Sequence, residues 1–526
     1  MKIVGLAWLV FVLVGVLVSI VVPLGEGYDE PWHLGYLQYL AQTGRLPSGP
    51  GLHLSAELEQ FFQLHPIGWV LHKIHPDLYS QEEYWQQPEV QRLRNDETLR
   101  ELHFQNPYTE GSSAFADQYE SHQPPLYYAV LSPIFILTAR FFSLADTFLL
   151  MRFWSVLVAS AIVPLTYWIA RRVTPFPYLA SAVTMLVALF PGLYPDVVRV
   201  STDALLVPMA AAIFLALLRY VDSRSKRDAV VLGLLMLAGL STKAFLIPVL
   251  IAAVLGILAL REFRTAAVVS FVSAAGWIWY ARNIWITGSL TGLPQTVAAK
   301  PSLLESIASL RHLHWIDMIK LTAVSHIWIG NFSLLQYRSW IYKVIELFFA
   351  TGLVGFIIAS LRKPLSHKFQ VLLLVYALFA ASLVYFATQI FLEGGVSVIQ
   401  GWYLTPMLPI EALVFVLGIQ YLFPRKAFPW IVAFVAFCFL AMLIYGTAFI
   451  SAPYYSGLTS HSASESLRIY APHWPDFAVM SGRLTRLHPW IPDSAPIVLC
   501  IMVLVAGLTL IGAFLKDRKR SDESMS

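Results

Sequence analysis

Several short segments of this 526-residue chain combine residue types that can move a proton or hold a phosphate. One is Asp29-Glu30-Pro31-Trp32-His33, two adjacent carboxylates followed by an imidazole. A carboxylate whose pKa is raised by desolvation can take a proton from a hydroxyl. Another is Glu120-Ser121-His122-Gln123-Pro124-Pro125-Leu126-Tyr127-Tyr128, where two prolines stiffen the entry to an apolar stretch. A third is Arg199-Val200-Ser201-Thr202-Asp203. Lys243, Arg282 and Arg338 supply cations that, with the carboxylates, could hold a phosphate in a preformed site. The loop from Glu393 to Tyr403 adds Gln400 and Tyr403 as hydrogen-bonding groups among glycines. Each feature has a plainer reading. Asp29 could cap a helix over 31–41 with Pro31 in its first turn. Asp203 could cap 204–220. Lys and Arg near an interface commonly snorkel to lipid headgroups. His53, His65, His72, His75 and His103 are scattered and show no metal-ligand spacing.

The elements that position these groups are membrane helices. The chain is 57% hydrophobic and 13% charged, against about a quarter charged in a soluble domain. Apolar runs near the ~20 residues needed to cross a bilayer cover 6–24, 149–170, 178–194, 204–220, 266–281, 341–361, 369–392, 404–423, 428–450 and 497–515. The first is long for a signal-peptide core and no small-x-small cleavage site follows it, so it reads as an uncleaved anchor. Basic clusters at Arg171/Arg172, Arg224/Lys226/Arg227, Arg261/Arg264, Arg362/Lys363, Arg425/Lys426 and Lys516/Arg518/Lys519/Arg520 mark cytoplasmic ends. An even number of crossings must separate neighbouring clusters. The stretch 229–260, interrupted by Ser241-Thr242-Lys243, therefore crosses twice, with Lys243 at its outer tip. The proline-bearing segment 124–142 reads as an interfacial or re-entrant helix on the outer side.

The predicted fold is an all-α polytopic transmembrane bundle of about 12 spans, with both termini cytoplasmic. Regions 25–148, 282–340 and 451–495 face outward. The first of them is a large loop containing interfacial helices. Residues 1–300 form a catalytic module, and 301–526 add further transmembrane helices. Cys438 and Cys500 lie in apolar runs and pack as small hydrophobes. With no P-loop, no Rossmann glycine pattern and no basic aromatic-studded face, neither a nucleotide cofactor nor a nucleic-acid partner is expected.

In chain order, the Asp-Glu pair behind the first span, the His-x-Pro-Pro-Leu-Tyr-Tyr segment at 122–128, Asp203 at the head of a span and Thr242-Lys243 at a hairpin tip resemble the GT-C glycosyltransferases. The pattern is most similar to family 39, the protein O-mannosyltransferases and lipid A aminoarabinose transferases. Gly401-Trp402-Tyr403-Leu404-Thr405-Pro406 is similar to a later outer motif of that family. The resemblance implies an enzyme of a bacterial or archaeal cell membrane with its site outside the cytoplasm. Such an enzyme would move a sugar, with inversion, from a polyprenyl-phosphate donor to a protein, lipid or glycan acceptor. Asp29 would be the catalytic carboxylate, acting as base or holding a divalent metal ion with Asp203. Glu30 would support Asp29. Lys243 and Arg282 would bind the lipid phosphate, and His33, His122, Gln123 and Tyr403 would complete the substrate site. Trp32 stands where some relatives carry an Arg, and Gln123 where a cation precedes the prolines. The alternatives are a transporter or flippase, or a polymerase or ligase, of lipid-linked saccharides. A transporter would need charges or broken helices at mid-bilayer, and Glu346 and Glu411 lie toward span ends.

Overall fold

The structure is a computed structural model describing residues 2–47, 51–112, 115, 117–293, 301–462 and 465–523. The side chains of Arg518, Lys519 and Arg520, in the last basic cluster, lie outside that description. Among the described residues regular structure is helical, with only isolated β-bridges such as His53–Asp117 between loops. Apolar runs become helices because lipid offers backbone N–H and C=O groups no other partner.

Among the described residues, eight helices are long and apolar enough to cross a membrane: Lys2–Val21, Leu144–Val173, Asp203–Ser223, Ser339–Arg362, His367–Gly394, Gly401–Leu422, Phe428–Tyr455 and Ala495–Asp517. Pro177–Leu189 and Pro191–Val197 make a ninth if taken as one span bent by 53°. The bend falls at Pro191, which cannot donate to the helical ladder. The predicted hairpin at 229–260 consists of Lys226–Leu240 and Ile247–Ala259, parted by Ser241, Thr242 and Lys243. Each is about 20 Å long at ~1.5 Å per residue, against a hydrocarbon core of ~30 Å. A total of about 12 spans therefore requires both of these, and the helical stretch 263–287, to cross as well. Leu126–Phe141 is shorter than a span. It packs along Glu30–Thr43 and Leu144–Ala159 and leaves Ile136, Leu137 and Phe141 exposed on its other face, the pattern of an interfacial helix.

The three regions predicted to share one side touch one another. Trp85 donates to the Tyr455 carbonyl at 3.0 Å, and Glu26 accepts from the Ser333 backbone N–H at 2.7 Å. Below them, Ser339–Arg362 and Leu408–Leu422 meet backbone to backbone, so that a methyl on Gly418 would run into the Gly352 carbonyl. Small residues permit such crossings in lipid. Cys438 and Cys500 are free.

The sidedness has a direct check. In a background carrying Cys438→Ala and Cys500→Ala, Thr109→Cys should react with an impermeant maleimide on intact cells. Arg227→Cys should react only after permeabilisation. The reverse pattern would invert the topology.

Candidate functional site

The site begins where the chain leaves the first helix. It turns through Gly25, at φ +79°, and reaches Asp29, at φ +58° and ψ 10°, before the helix Glu30–Thr43. A left-handed backbone is costly for most side chains and tolerated by Asp. Asp29 stands at the N-cap position yet makes no capping hydrogen bond, so the capping reading fails. Glu30 explains what holds this corner. Its carboxylate is fully buried and forms a fork with Arg152, at 2.7 Å to Nε and 2.5 Å to Nη2. It also accepts from the N–H groups of Gly25 at 3.1 Å, Gly27 at 3.3 Å and Val200 at 2.9 Å. Arg152 spends its remaining donors on the Ser19, Val22 and Pro23 carbonyls, at 3.1, 2.5 and 2.7 Å. One ion pair thus ties the end of the first helix, the Asp29 corner and the 199–203 loop together. With both oxygens so engaged, Glu30 offers substrate little.

On that loop Arg199 places Nη2 at 2.7 Å from both Asp196 and Asp203. Its Nη1 is buried with no partner among the described residues. Asp203 gives its other oxygen to Lys243 Nζ at 2.6 Å, across from the hairpin tip. Capping does not describe Asp203 either. Thr405, in the 3₁₀ turn Gly401–Met407, donates to Asp196 at 2.5 Å, and Trp402 stacks on Tyr28 with ring centres 4.2 Å apart. Tyr28 in turn lies under Arg199, at 5.6 Å. Tyr403 packs edge-on to Phe245 and lies within electrostatic range of Asp29, Asp203 and Arg199.

Facing this cluster is the turn Tyr119–His122. Glu120 is buried, and its Oε2 has no hydrogen-bond partner among the described residues. It lies 4.0 Å from His33 Nδ1 and 4.0 Å from His122 Nε2. His33 is engaged by the Tyr128 hydroxyl at 2.7 Å. The Gln123 carbonyl accepts from Tyr36 at 3.3 Å, while Trp279 and Asn283 hold the His122 carbonyl at 2.8 and 3.1 Å.

Burial lifts the Asp29 carboxyl to about 7, the Glu120 charge reinforcing it and Arg199 and Lys243 opposing. Burial likewise brings Glu120 to about 7 against the pull of Lys243. Desolvation pushes His122 down to about 4 and His33 well below its ordinary value, so both imidazoles are neutral at pH 7.

The structure therefore brings Asp29, His33, His122, Gln123, Asp203, Lys243 and Tyr403 to one corner. Arg282 is engaged by other groups: it donates to the Pro47 carbonyl and lies over the Trp279 ring at 4.3 Å. The divalent ion expected between Asp29 and Asp203 does not suit the donor set. Both Asp203 oxygens already face cations, and among the described residues no three His, Cys, Asp or Glu groups are arranged to ligate a metal. Sequence reading did not select Glu120, Asp196, Arg199 or Arg152 as site residues. Glu120 and Arg199 stood in segments already singled out, and Arg152 carried its own signal, a charge inside the apolar run 149–170.

The chain is similar in structure to ArnT from Cupriavidus metallidurans bound to undecaprenyl phosphate, at 13% identity and TM-score 0.44 over 96% of this chain and 76% of that one. It is similar also to the oligosaccharyltransferase of Archaeoglobus fulgidus. In the complex with Zn and sulfate the values are 11% identity and TM-score 0.42, over 92% of this chain and 58% of that one. In the apo form they are 12% and 0.38, over 89% and 59%. This chain thus spans less than two thirds of the oligosaccharyltransferase. No curated protein matches the sequence. A family model described as a predicted membrane protein, DUF2142, matches residues 11–411. That match takes in every residue of the corner just described, and the chain belongs to the DUF2142 family of membrane proteins.

Proposed function

We propose that this protein is a membrane transferase that moves a sugar from a polyprenyl-phosphate donor to an acceptor hydroxyl on the outer face of the membrane. The observation that carries this reading is the pairing of a partly buried, unbonded Asp29 carboxyl with the Arg199–Lys243 cations. Asp29 takes the proton from the acceptor hydroxyl as its oxygen attacks C1 of the sugar. The bond from C1 to the phosphate oxygen breaks, and that electron pair leaves on the phosphate. Attack opposite the leaving group inverts C1. Charge growing on the departing phosphate is met by the free Nη1 of Arg199 and by the Lys243 ammonium, whose two remaining hydrogens are not used by Asp203. The prenyl chain, held in lipid, aligns the donor and supplies part of the positioning. Glu30, Arg152 and Asp196 position these groups. No step is assigned to a metal ion.

The second reading, a transporter, would draw on intramembrane charge. Glu411 is bonded to His326 at 2.8 Å and to Tyr376 at 2.9 Å, which fits an anchor for the turn Gly401–Met407, since His326 also meets the Gly401 carbonyl at 3.0 Å.

The test is covalent transfer by purified protein in liposomes, followed against pH. Asp29 works ionised, and its pKa is raised to about 7, so protonation as pH falls through that value removes the base. The expected kcat/KM drops about tenfold per unit below pH ~7 and levels off above it. A flat profile between about pH 5.5 and 8 would remove Asp29 as the base, and absence of any covalent product would favour transport.

A further inference from the structure

Glu120 and His122 present an arrangement that the transfer step does not use. The Glu120 side chain is 3% exposed and the His122 side chain 7%. Glu120 Oε2 and His122 Nε2 face each other at 4.0 Å, too far for a hydrogen bond, and neither has a partner among the described residues. Leaving two buried polar atoms unpaired is unfavourable, and native structures seldom do so without a ligand, a water or a catalytic reason.

The chemistry of the gap can be read from the neighbouring bonds. His122 Nδ1 points at the Tyr119 carbonyl at 3.1 Å and so carries the ring hydrogen. Nε2 is therefore a lone-pair acceptor. Glu120, when ionised, is an acceptor as well. His33 Nδ1, also 4.0 Å from Glu120 Oε2, is already engaged by Tyr128. Two acceptors that face each other without a donor call for a ligand carrying donors. A cationic ligand is opposed by Lys243 and Arg199, both within electrostatic range of Glu120. Neutral hydroxyl groups are not.

We propose that Glu120 and His122 form a subsite for a pair of carbohydrate hydroxyls, next to the phosphate corner. This rests on the reading that Lys243 and Arg199 take the donor phosphate. The sugar of such a donor is bonded directly to that phosphate, so its ring must lie beside those cations, where Glu120 is. Acceptor hydroxyls offer the same chemistry, and the experiment separates the two sources.

Binding is measured on the full chain in nanodiscs with bare undecaprenyl phosphate and with undecaprenyl phosphate bearing glucose, mannose or galactose. Methyl glycosides are added separately, in the presence of bare carrier, and followed by saturation-transfer NMR. Wild type should bind at least one sugar-bearing carrier about tenfold or more tighter than the bare one. Glu120→Gln and His122→Phe should each erase that difference while leaving bare-carrier affinity within about twofold. Loss of the carrier difference assigns the hydroxyls to the donor, and loss of glycoside saturation alone assigns them to the acceptor. Either outcome supports the subsite. It is overturned if wild type neither discriminates a sugar-bearing carrier nor saturates a glycoside, if both variants keep both signals, or if they lose bare-carrier affinity in step. Lys243→Ala should weaken all carriers in parallel. If bare-carrier binding survives that change, the phosphate reading fails instead.

Discussion

Asp29→Asn should leave a folded, membrane-inserted protein whose sugar transfer is at least ~100-fold slower, the scale of a lost general base. The amide keeps the shape of the side chain and cannot take the acceptor proton. Asn also tolerates the left-handed backbone at this position, so the corner is preserved. The stability side of the exchange has a definite sign. A carboxyl whose folded pKa lies above its unfolded value loses stability to the folded state as pH rises through that folded pKa, here about 7. Replacing it with an amide removes that loss. The melting temperature of the variant at pH 8 should equal or exceed that of wild type, while radiolabelled transfer collapses. A variant that is both slow and less stable would mean that Asp29 holds the corner rather than serving the reaction. Wild-type rates would take it out of the mechanism altogether.

Arg152→Ala is expected to produce the largest loss of stability, about 3–5 kcal/mol, because it strands a fully buried Glu30 carboxylate. Thermal unfolding and the yield of folded protein in detergent report it. Adding Glu30→Gln should recover part of the loss by removing the stranded charge. Recovery stops short of wild type for a specific reason. Arg152 also satisfies three carbonyls at the end of the first helix, and no alanine can. If Arg152→Ala unfolds at the wild-type temperature, the fork between the two residues is not what fastens the Asp29 corner.

The lipid-facing parts of this fold are readable because their physics is one-dimensional. Helices such as Ser339–Arg362 and Ala495–Asp517 expose much of their surface, so an unbroken apolar run is enough to mark them. The break at Ser241-Thr242-Lys243 was legible as polar residues inside an apolar run, and the structure parts two helices there, both shorter than ordinary spans. The site was legible only in part. Asp29 and Asp203 were visible as acids at the heads of helices and Lys243 as a nearby cation, but the ion pairs that join Asp203 to Lys243 and Arg199 were not. Nothing local in the sequence says that Glu120 turns toward His122, or that Arg199 lies between Asp196 and Asp203. Those contacts are local, two to four residues apart, and depend on how a turn and a bent helix aim their side chains, which residue order does not encode. Glu30 shows the same limit from the other side. Adjacent to Asp29 and identical in charge, it turns inward to Arg152, a difference set by helix phase and by a partner more than a hundred residues away. Arg282 looked like a phosphate ligand from its place after a span, and the Pro47 carbonyl claims it instead.

The handedness of the backbone at Asp29 also limits which replacements the corner will accept. Positive φ is open to Gly, Asn and Asp and strained for longer or branched residues. Glutamate would keep the charge, yet it would have to enter a conformation it disfavours while carrying its carboxylate one methylene further out. The reach of the carboxyl is thereby fixed by main-chain geometry as well as by side-chain identity, and exchanging one acid for the other here is no conservative step.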